Sequence, residues 1–490
     1  MEIKSMIKTI RDKMRMDAGL SGDAQRLEEL TWILFLKVYD SKEDDWEFYD
    51  PHYQSIIPEQ YRWKNWAHDN KDGKALTSKD LLDFIDNGLF PTLSNLVINE
   101  DTPIRQAVVK AVFSDIHNYM KDGVILREVV NIIDQINFES YQDRHAFNEI
   151  YETMLREIQN MGDNGQFYTP RAVTDFMVAM IDPKIGETVA DFACGTGGFL
   201  TSTIKHLEKS VNSTDQRQLI NESLFGIEKV GLPYLLCITN MILHDLDNPR
   251  IYHDNSLEKN VRDYKEEDKF DVIIMNPPYG GTEKETVKSN FPPELRSSET
   301  ADLFIDVIMY RLKKNGRAAV ILPDGFLFGS DVKTNIKKKL MTEFNLHTIV
   351  RMTNDVFAPY TTIRTNILFF DNNGPTKETW VYRMDMPEGY KHFSKTKPIK
   401  LEHFKPVVDW WNDRKEILVD DNPKAKLFSF KEIEEGGFNL DLCGFPQEVT
   451  EILPPDEVIR NYREQRAELT AKIDSILDEI ESILDGAKDA

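Results

Sequence analysis

The chain has 490 residues, 41% of them hydrophobic and 10% aromatic, which allows more than one domain and a sizeable core and is unlike a disordered chain. No stretch is apolar for long enough to span a bilayer, the N-terminus lacks a signal-peptide core, and Cys194, Cys237 and Cys443 show neither metal-ligand spacing nor a disulfide framework, so a cytoplasmic location and no metal are expected. Sixty Lys and Arg face 83 Asp and Glu, and a net charge of −23 argues against a protein that grips phosphates unaided. Short basic runs, Arg311 with Lys313 and Lys314, then Lys333 with Lys337 to Lys339, read as solvated helix faces.

Residues 1–158 read as a helical N-terminal domain. The first twenty residues fit an amphipathic helix, and Leu27–Val38 is as densely apolar as a helix buried among others. A long structured loop is expected over the Trp- and Tyr-rich stretch Asp44–Lys74, and helices at Lys79–Asn87, Ile104–Met120 and Phe147–Gln159. Residues 159–452 then alternate strand and helix, as in an α/β domain. Strands are expected at Thr188–Phe192, Leu224–Ile227, a segment ending before Asp254, Phe270–Met275 and Arg317–Leu322, with helices at Leu232–His244 and Ala301–Lys313. Thr348–Met352 and Thr365–Phe370 should close the sheet edge, and no large patterned block follows. In the tail, 453–490, Tyr462, Leu469, Ile473, Ile476, Ile480 and Ile483 recur at spacings of three and four in a charged helix, an apolar seam fit for a partner.

Chemistry begins at Asp191-Phe-Ala-Cys-Gly-Thr-Gly-Gly198, between a strand and an apolar helix. Gly195, Gly197 and Gly198 let backbone approach a ligand, with helix N–H groups presented to it. Such a turn is shared with dinucleotide-binding enzymes, but the next acidic strand end, Glu228, comes later than their fingerprint requires and suits a pair of ribose hydroxyls. Asp254 falls at a third strand end, where it can accept from an adenine amino group or simply cap a turn. The buried strand Phe270–Met275 runs straight into Asn276-Pro277-Pro278-Tyr279. An amine attached to an aromatic base is a poor nucleophile because its lone pair is delocalised into the ring. Two acceptors, the Asn276 side-chain oxygen and the Pro277 carbonyl, can hold both N–H groups and aim the lone pair at a methyl donor. The prolines stiffen that carbonyl, and Tyr279 offers a face for an extruded base.

Asp191–Gly198 followed by Asn276–Tyr279 resembles the amino-methyltransferase family, in the subclass whose cofactor motif precedes the catalytic one. Gly165-Gln-Phe-Tyr-Thr-Pro-Arg171 resembles that subclass's additional cofactor motif. The resemblance implies a Rossmann-like S-adenosylmethionine-dependent methyltransferase domain, preceded by the α-helical domain and followed by the C-terminal helix. It implies cofactor contacts from Gln166, Phe167, Tyr168, Thr169, Pro170, Arg171, Asp191, Gly195, Thr196, Gly197, Gly198, Glu228 and Asp254. More narrowly, Trp32–Lys37, Leu322–Gly329, Val356–Tyr360, Thr365–Phe370 and His392–Lys397 make the chain similar to the modification subunits of type I restriction–modification systems. That likeness implies N6-adenine methylation of double-stranded DNA with a flipped adenine, beside a specificity subunit and a restriction subunit, with two copies of this chain per complex. One departure is Phe192, where the family often has proline; a change in turn stiffness is expected. Protein-glutamine methylation and a non-catalytic scaffold role are the alternatives; the first does not need the helical front and heptad tail, and the second should have cost one of the motifs. No cysteine has the Pro-Cys setting of cytosine-C5 chemistry, and no Walker A loop is present.

Overall fold

Along Leu312–Pro323 successive apolar side chains enter opposite cores: Ala319 and Ile321 one, Ala318, Val320 and Leu322 the other. That alternation marks a strand of a sheet covered on both faces. The computed structural model describes residues 3–69, 75–99, 101–136, 168–445 and 455–486. The helix expected at Phe147–Gln159, the residues Gln166 and Phe167, and the boundaries at 158/159 and 452/453 lie outside them. The chain divides into two compact units, Met1–Gly444 and Phe445–Ala490.

The first unit holds a ten-stranded sheet among the described residues. Its strands are β1 (Val189–Asp191), β2 (Leu224–Glu228), β3 (Arg250–His253), β4 (Phe270–Met275), β5 (Leu312–Pro323), β6 (Asn345–Arg351), β7 (Thr365–Asp371), β8 (Glu378–Arg383), β9 (Ile417–Val419) and β10 (Asn422–Ser429). Their spatial order is β3-β2-β1-β4-β5-β7-β6-β8-β10-β9. The first five are parallel, and β7 runs antiparallel between β5 and β6. The order reverses between β1 and β4, which opens a crevice at their carboxyl ends. β6 and β7 do not close the sheet edge as expected. β8 pairs with β6, and β10 and β9 extend the sheet beyond it.

One face of the sheet shares a continuous core with the N-terminal helices. The helix Asp23–Tyr49 packs on Gly231–Leu243, the helix between β2 and β3. Lys42 Nζ pairs with Asp245 at 2.6 Å, and Trp46 Nε1 donates to Asp247 at 3.1 Å. This helix takes in the first turn and a half of the expected loop and stops at Asp50, which Pro51 biases away from α geometry. Conversely, the helix begun at Ile104 ends at Phe113 rather than Met120. Ile116 and Met120 are still buried, because their extended segment feeds the Tyr119 and Met120 N–H groups to the buried Glu29 carboxylate. The period expected of a helix was here the burial of an irregular segment. A helix at Gly123–Asp134, unread in the sequence, completes this layer.

The basic runs are not solvated faces. The Arg311 guanidinium lies 4.3 Å from the Phe192 ring centroid, with Phe225, Tyr264 and Phe270 around it, and its Nε donates to the Asp268 carbonyl. Lys313 pairs with Asp271, Lys333 with Asp302 and Glu299, and Lys339 with Glu343. Lys337 is buried, donating to the carbonyls of Leu327 and Gly329 at 2.7 and 2.8 Å, and burial pushes its pKa down to about 8. Only Lys314 and Lys338 of these runs stay exposed.

Among the described residues the second unit contains one helix, Pro455–Gly486. Tyr462, Leu469, Ile473, Ile476 and Ile480 are exposed along it at the expected spacing, joined by Ile459 and Leu477. No helix among the described residues is long and apolar enough to cross a membrane.

Candidate active site

The crevice at the carboxyl ends of β1, β2 and β4 is a cleft of about 420 Å³. The glycine-rich turn forms one wall. Gly195 has φ +54° with open space where a Cβ would stand, so a side chain there would enter the cleft. Gly197 has φ +80°, and its Cβ would meet Cys237 Sγ at 2.9 Å, which ties the turn to the helix behind it. Cys194, buried, lies 3.8 Å from Cys237, sulfur to sulfur, and both are free thiols.

Glu228 fastens this wall. Its carboxylate accepts from the Gly195 N–H at 2.9 Å and the Val230 N–H at 2.8 Å, leaving further lone pairs for ligand hydroxyls. Burial raises its pKa, opposed by those N–H groups. Asp191, at the end of β1, is 1% exposed and accepts from the Ala193 N–H at 3.1 Å. Burial pushes its carboxyl up to about 8, and the nearby Glu228 charge adds to the rise. Asp254 stands exposed on the rim; its N–H donates to the Glu228 carbonyl, while its carboxylate accepts from the Asn255 N–H.

Opposite the turn, β4 delivers Asn276 to the cleft floor. Its Nδ2 donates to the Thr169 hydroxyl at 3.0 Å, and its Oδ1 accepts from the Tyr279 hydroxyl. The Asn276 amide is therefore held from both ends. The Tyr279 ring turns edge-on to the buried Phe357, centroids 6.5 Å apart, and burial raises its hydroxyl pKa.

Tyr168, Gly195, Glu228, Asp254, Asn276, Pro277 and Pro278 thus line the main cleft. Thr169, Arg171, Asp191, Thr196 and Gly198 line an adjoining recess of about 50 Å³, which Tyr168, Gly195 and Asn276 share with the cleft. Burial pushes Tyr168 up to about 12. Pro170, Gly197 and Tyr279 line neither space. Arg171 reaches the Gly198 carbonyl at 2.7 Å and the Thr201 hydroxyl, which fastens the start of the helix Gly198–Glu208.

Sequence reasoning missed several wall residues. Val230, Ser256 and Leu257 each follow a singled-out acid by two or three positions, so the strand-end rule could have reached them. Phe304 and Thr300 arrive on the distant helix Thr300–Arg311 and had no local signal. Phe192 is a wall residue too, 1% exposed, and its ring meets Phe225, Phe270 and Arg311. An aromatic platform for a buried cation accounts for phenylalanine at this position.

A sheet whose first five strands run parallel in this order, with a glycine-lined cleft at its switch point, is the Rossmann-like fold of S-adenosylmethionine-dependent methyltransferases. A model of the N-6 DNA methylase family matches residues 142–451, and one of the HsdM N-terminal domain matches residues 3–133. The chain is 47% identical over 494 residues to the methylase subunit of the type I restriction enzyme EcoEI from Escherichia coli, with 100% of each chain covered. A solved type I R-M system chain, from work on complex assembly and conformational transition, matches with a TM-score of 0.80 at 32% identity, covering 98% of both chains. A modification-subunit crystal structure from Vibrio vulnificus YJ016 matches with a TM-score of 0.77 at 41% identity, covering 88% of this chain and 93% of that one. The chain belongs to the N-6 DNA methylase family, among the methylase subunits of type I restriction enzymes.

Proposed function

We propose that this subunit methylates N6 of adenine in double-stranded DNA, using S-adenosylmethionine, within a complex that also needs a specificity subunit and, for cleavage, a restriction subunit. The observation that carries the reading is the convergence of Asn276, Glu228 and Asp254 on one cleft with the glycine-rich turn. When bound, the cofactor supplies an electrophilic methyl on a positively charged sulfur. The residues fit it: open backbone at Gly195, carboxylate acceptors at Glu228 and Asp254, and a recess beside Asp191. The Asn276 oxygen and Pro277 carbonyl would accept the two N–H groups of an extruded adenine, and the Tyr279 ring would stack on it. For this, the adenine amine must replace the Tyr279 hydroxyl at Asn276 Oδ1. Two copies of the chain per complex remain part of the proposal, as does the C-terminal helix as its docking element.

Thr169 tests the geometry. Its hydroxyl accepts a hydrogen bond from Asn276 Nδ2, which fixes the amide so that Oδ1 would face the amine. Thr169→Val should lower kcat about ten- to a hundredfold with cofactor affinity little changed, and Thr169→Ser should restore most of it. A loss confined to cofactor binding would assign Thr169 to the cofactor alone.

Asp191 gives a pH signature. With its carboxyl pushed up to about 8, it is protonated at neutral pH. A cofactor of net positive charge beside it favours the ionised form, so binding releases a proton and affinity rises with pH until about pH 8. Calorimetry in buffers of different ionisation enthalpy reads the release, and Asp191→Asn should remove it. Proton uptake at neutral pH would contradict this assignment.

A further inference from the structure

At the opposite edge of the sheet a second cavity, about 380 Å³, opens between the start of β6, the β7–β8 turn and β10. Asn345, the first residue of β6 and part of the lining, is level with Asp371 at the end of β7, which in turn is level with Arg317 in the middle of β5. The catalytic cleft lies at the far ends of these strands, roughly 20 Å away at the rise of an extended chain. Arg414, His347, Lys377 and Trp380 line the cavity, with Leu427 on its apolar side and Glu378 as its acid.

Arg414 is unusual in this acidic chain. Its guanidinium carbon lies 4.4 Å from the Trp411 ring centroid and 5.5 Å from that of Trp410. No hydrogen bond or ion pair reaches it among the described residues, and burial alone depresses its pKa. Six other partly or fully buried arginines meet carboxylates, Arg62 with Glu47, Arg105 with Asp50, Arg217 with Glu208, Arg317 with Glu187, Arg351 with Asp441 and Arg383 with Asp385, while the buried Arg127 and Arg311 donate to backbone carbonyls. The exposed Lys377 ammonium likewise has no ion pair among the described residues. His347 adds a polar edge without charge at neutral pH, since burial pushes its pKa down to about 4 and the Thr348 hydroxyl lies 2.8 Å from Nδ1.

We propose that this cavity binds a nucleoside phosphate, with the phosphate on Arg414 and Lys377 and the base against Trp380. A guanidinium held against tryptophan keeps N–H donors in the fork that matches an oxyanion, and a second cation suits a doubly charged group. The half-buried Trp380 face and Leu427 offer apolar area for a planar ring, in a space of the size small ligands occupy.

The probe is guanosine 5′-monophosphate, titrated into the full chain by calorimetry beside guanosine and inorganic phosphate. Guanosine monophosphate should bind at least about tenfold more tightly than either fragment, and Arg414→Gln should weaken it about tenfold or more. Lys377→Ala, an exposed change that leaves the core alone, should weaken it severalfold. Glu228→Ala, in the other cleft, should leave it unchanged. Wild-type affinity in both cation variants, or no heat at about 5 mM nucleotide, would overturn the proposal. Equal affinity for inorganic phosphate would overturn the base contact.

Discussion

Replacing Asn276 by alanine should cut methyl transfer by at least about a hundredfold while S-adenosylmethionine still binds. Asn276 is the residue whose amide is fixed at both ends, by the Thr169 hydroxyl and the Tyr279 hydroxyl, at the floor of the cleft. On the proposed function, removing it deletes the acceptor for the target amine but leaves the Glu228 clamp on Gly195 and Val230 intact. Single-turnover methylation of a hemimethylated duplex, in the assembled complex, reads the first effect, and calorimetry the second. Tyr279→Phe should be far milder, because stacking needs the ring and not the hydroxyl. Near-normal turnover in Asn276→Ala would remove the amine-holding role from this turn. N4-methylcytosine or methylglutamine as the product would instead move the substrate assignment.

The second large effect concerns isolation. The purified chain should show negligible DNA methylation until a basic specificity subunit is added, and deleting 455–486 should prevent that rescue without lowering cofactor affinity. Most of the clustered cations prove to be engaged internally: Arg311 among aromatic rings, Lys333 on Asp302 and Glu299, Lys337 on two carbonyls. Against a net charge of −23, that leaves little to neutralise phosphates. The tail helix meanwhile exposes Tyr462, Leu469, Ile473, Ile476 and Ile480, a row suited to burial against partner helices. Gel-shift and methylation assays with and without the partner decide the matter. Robust sequence-specific methylation by the lone chain would point to a self-sufficient enzyme.

What could be read from the sequence was what repeats locally. β1, β2, β4, β5, β6 and β7 were visible because buried strands concentrate apolar residues between turns, and Asp191–Gly198 and Asn276–Tyr279 because each motif is contiguous. β8 to β10 were not. β10 carries Pro423, Lys424 and Lys426 in a half-buried strand, which is how a sheet margin looks and also how a loop looks. The Thr169–Asn276 bond spans more than a hundred positions, so no spacing rule could have joined those residues. Nor could charge counting separate a lysine in water from Lys337 at 1% exposure, since the difference lies in what folds over it.

The shared core of the helical front and the sheet has a consequence for how the molecule comes apart. Asp115, in the segment after Ile104–Phe113, pairs with His253 at 3.3 Å, and the His253 ring stacks on Tyr234, one position past Pro233 in the cleft wall. Together with Lys42–Asp245 and Trp46–Asp247, this makes the front a structural support of the strand end that precedes Asp254. Local opening of the front should therefore disturb the cleft as well. A ligand held at β2 and β3 would slow amide hydrogen exchange in helices that never touch it, and trimming the front to obtain a minimal enzyme would strip the buried Leu235 and Ile238 of their cover and take the site with it.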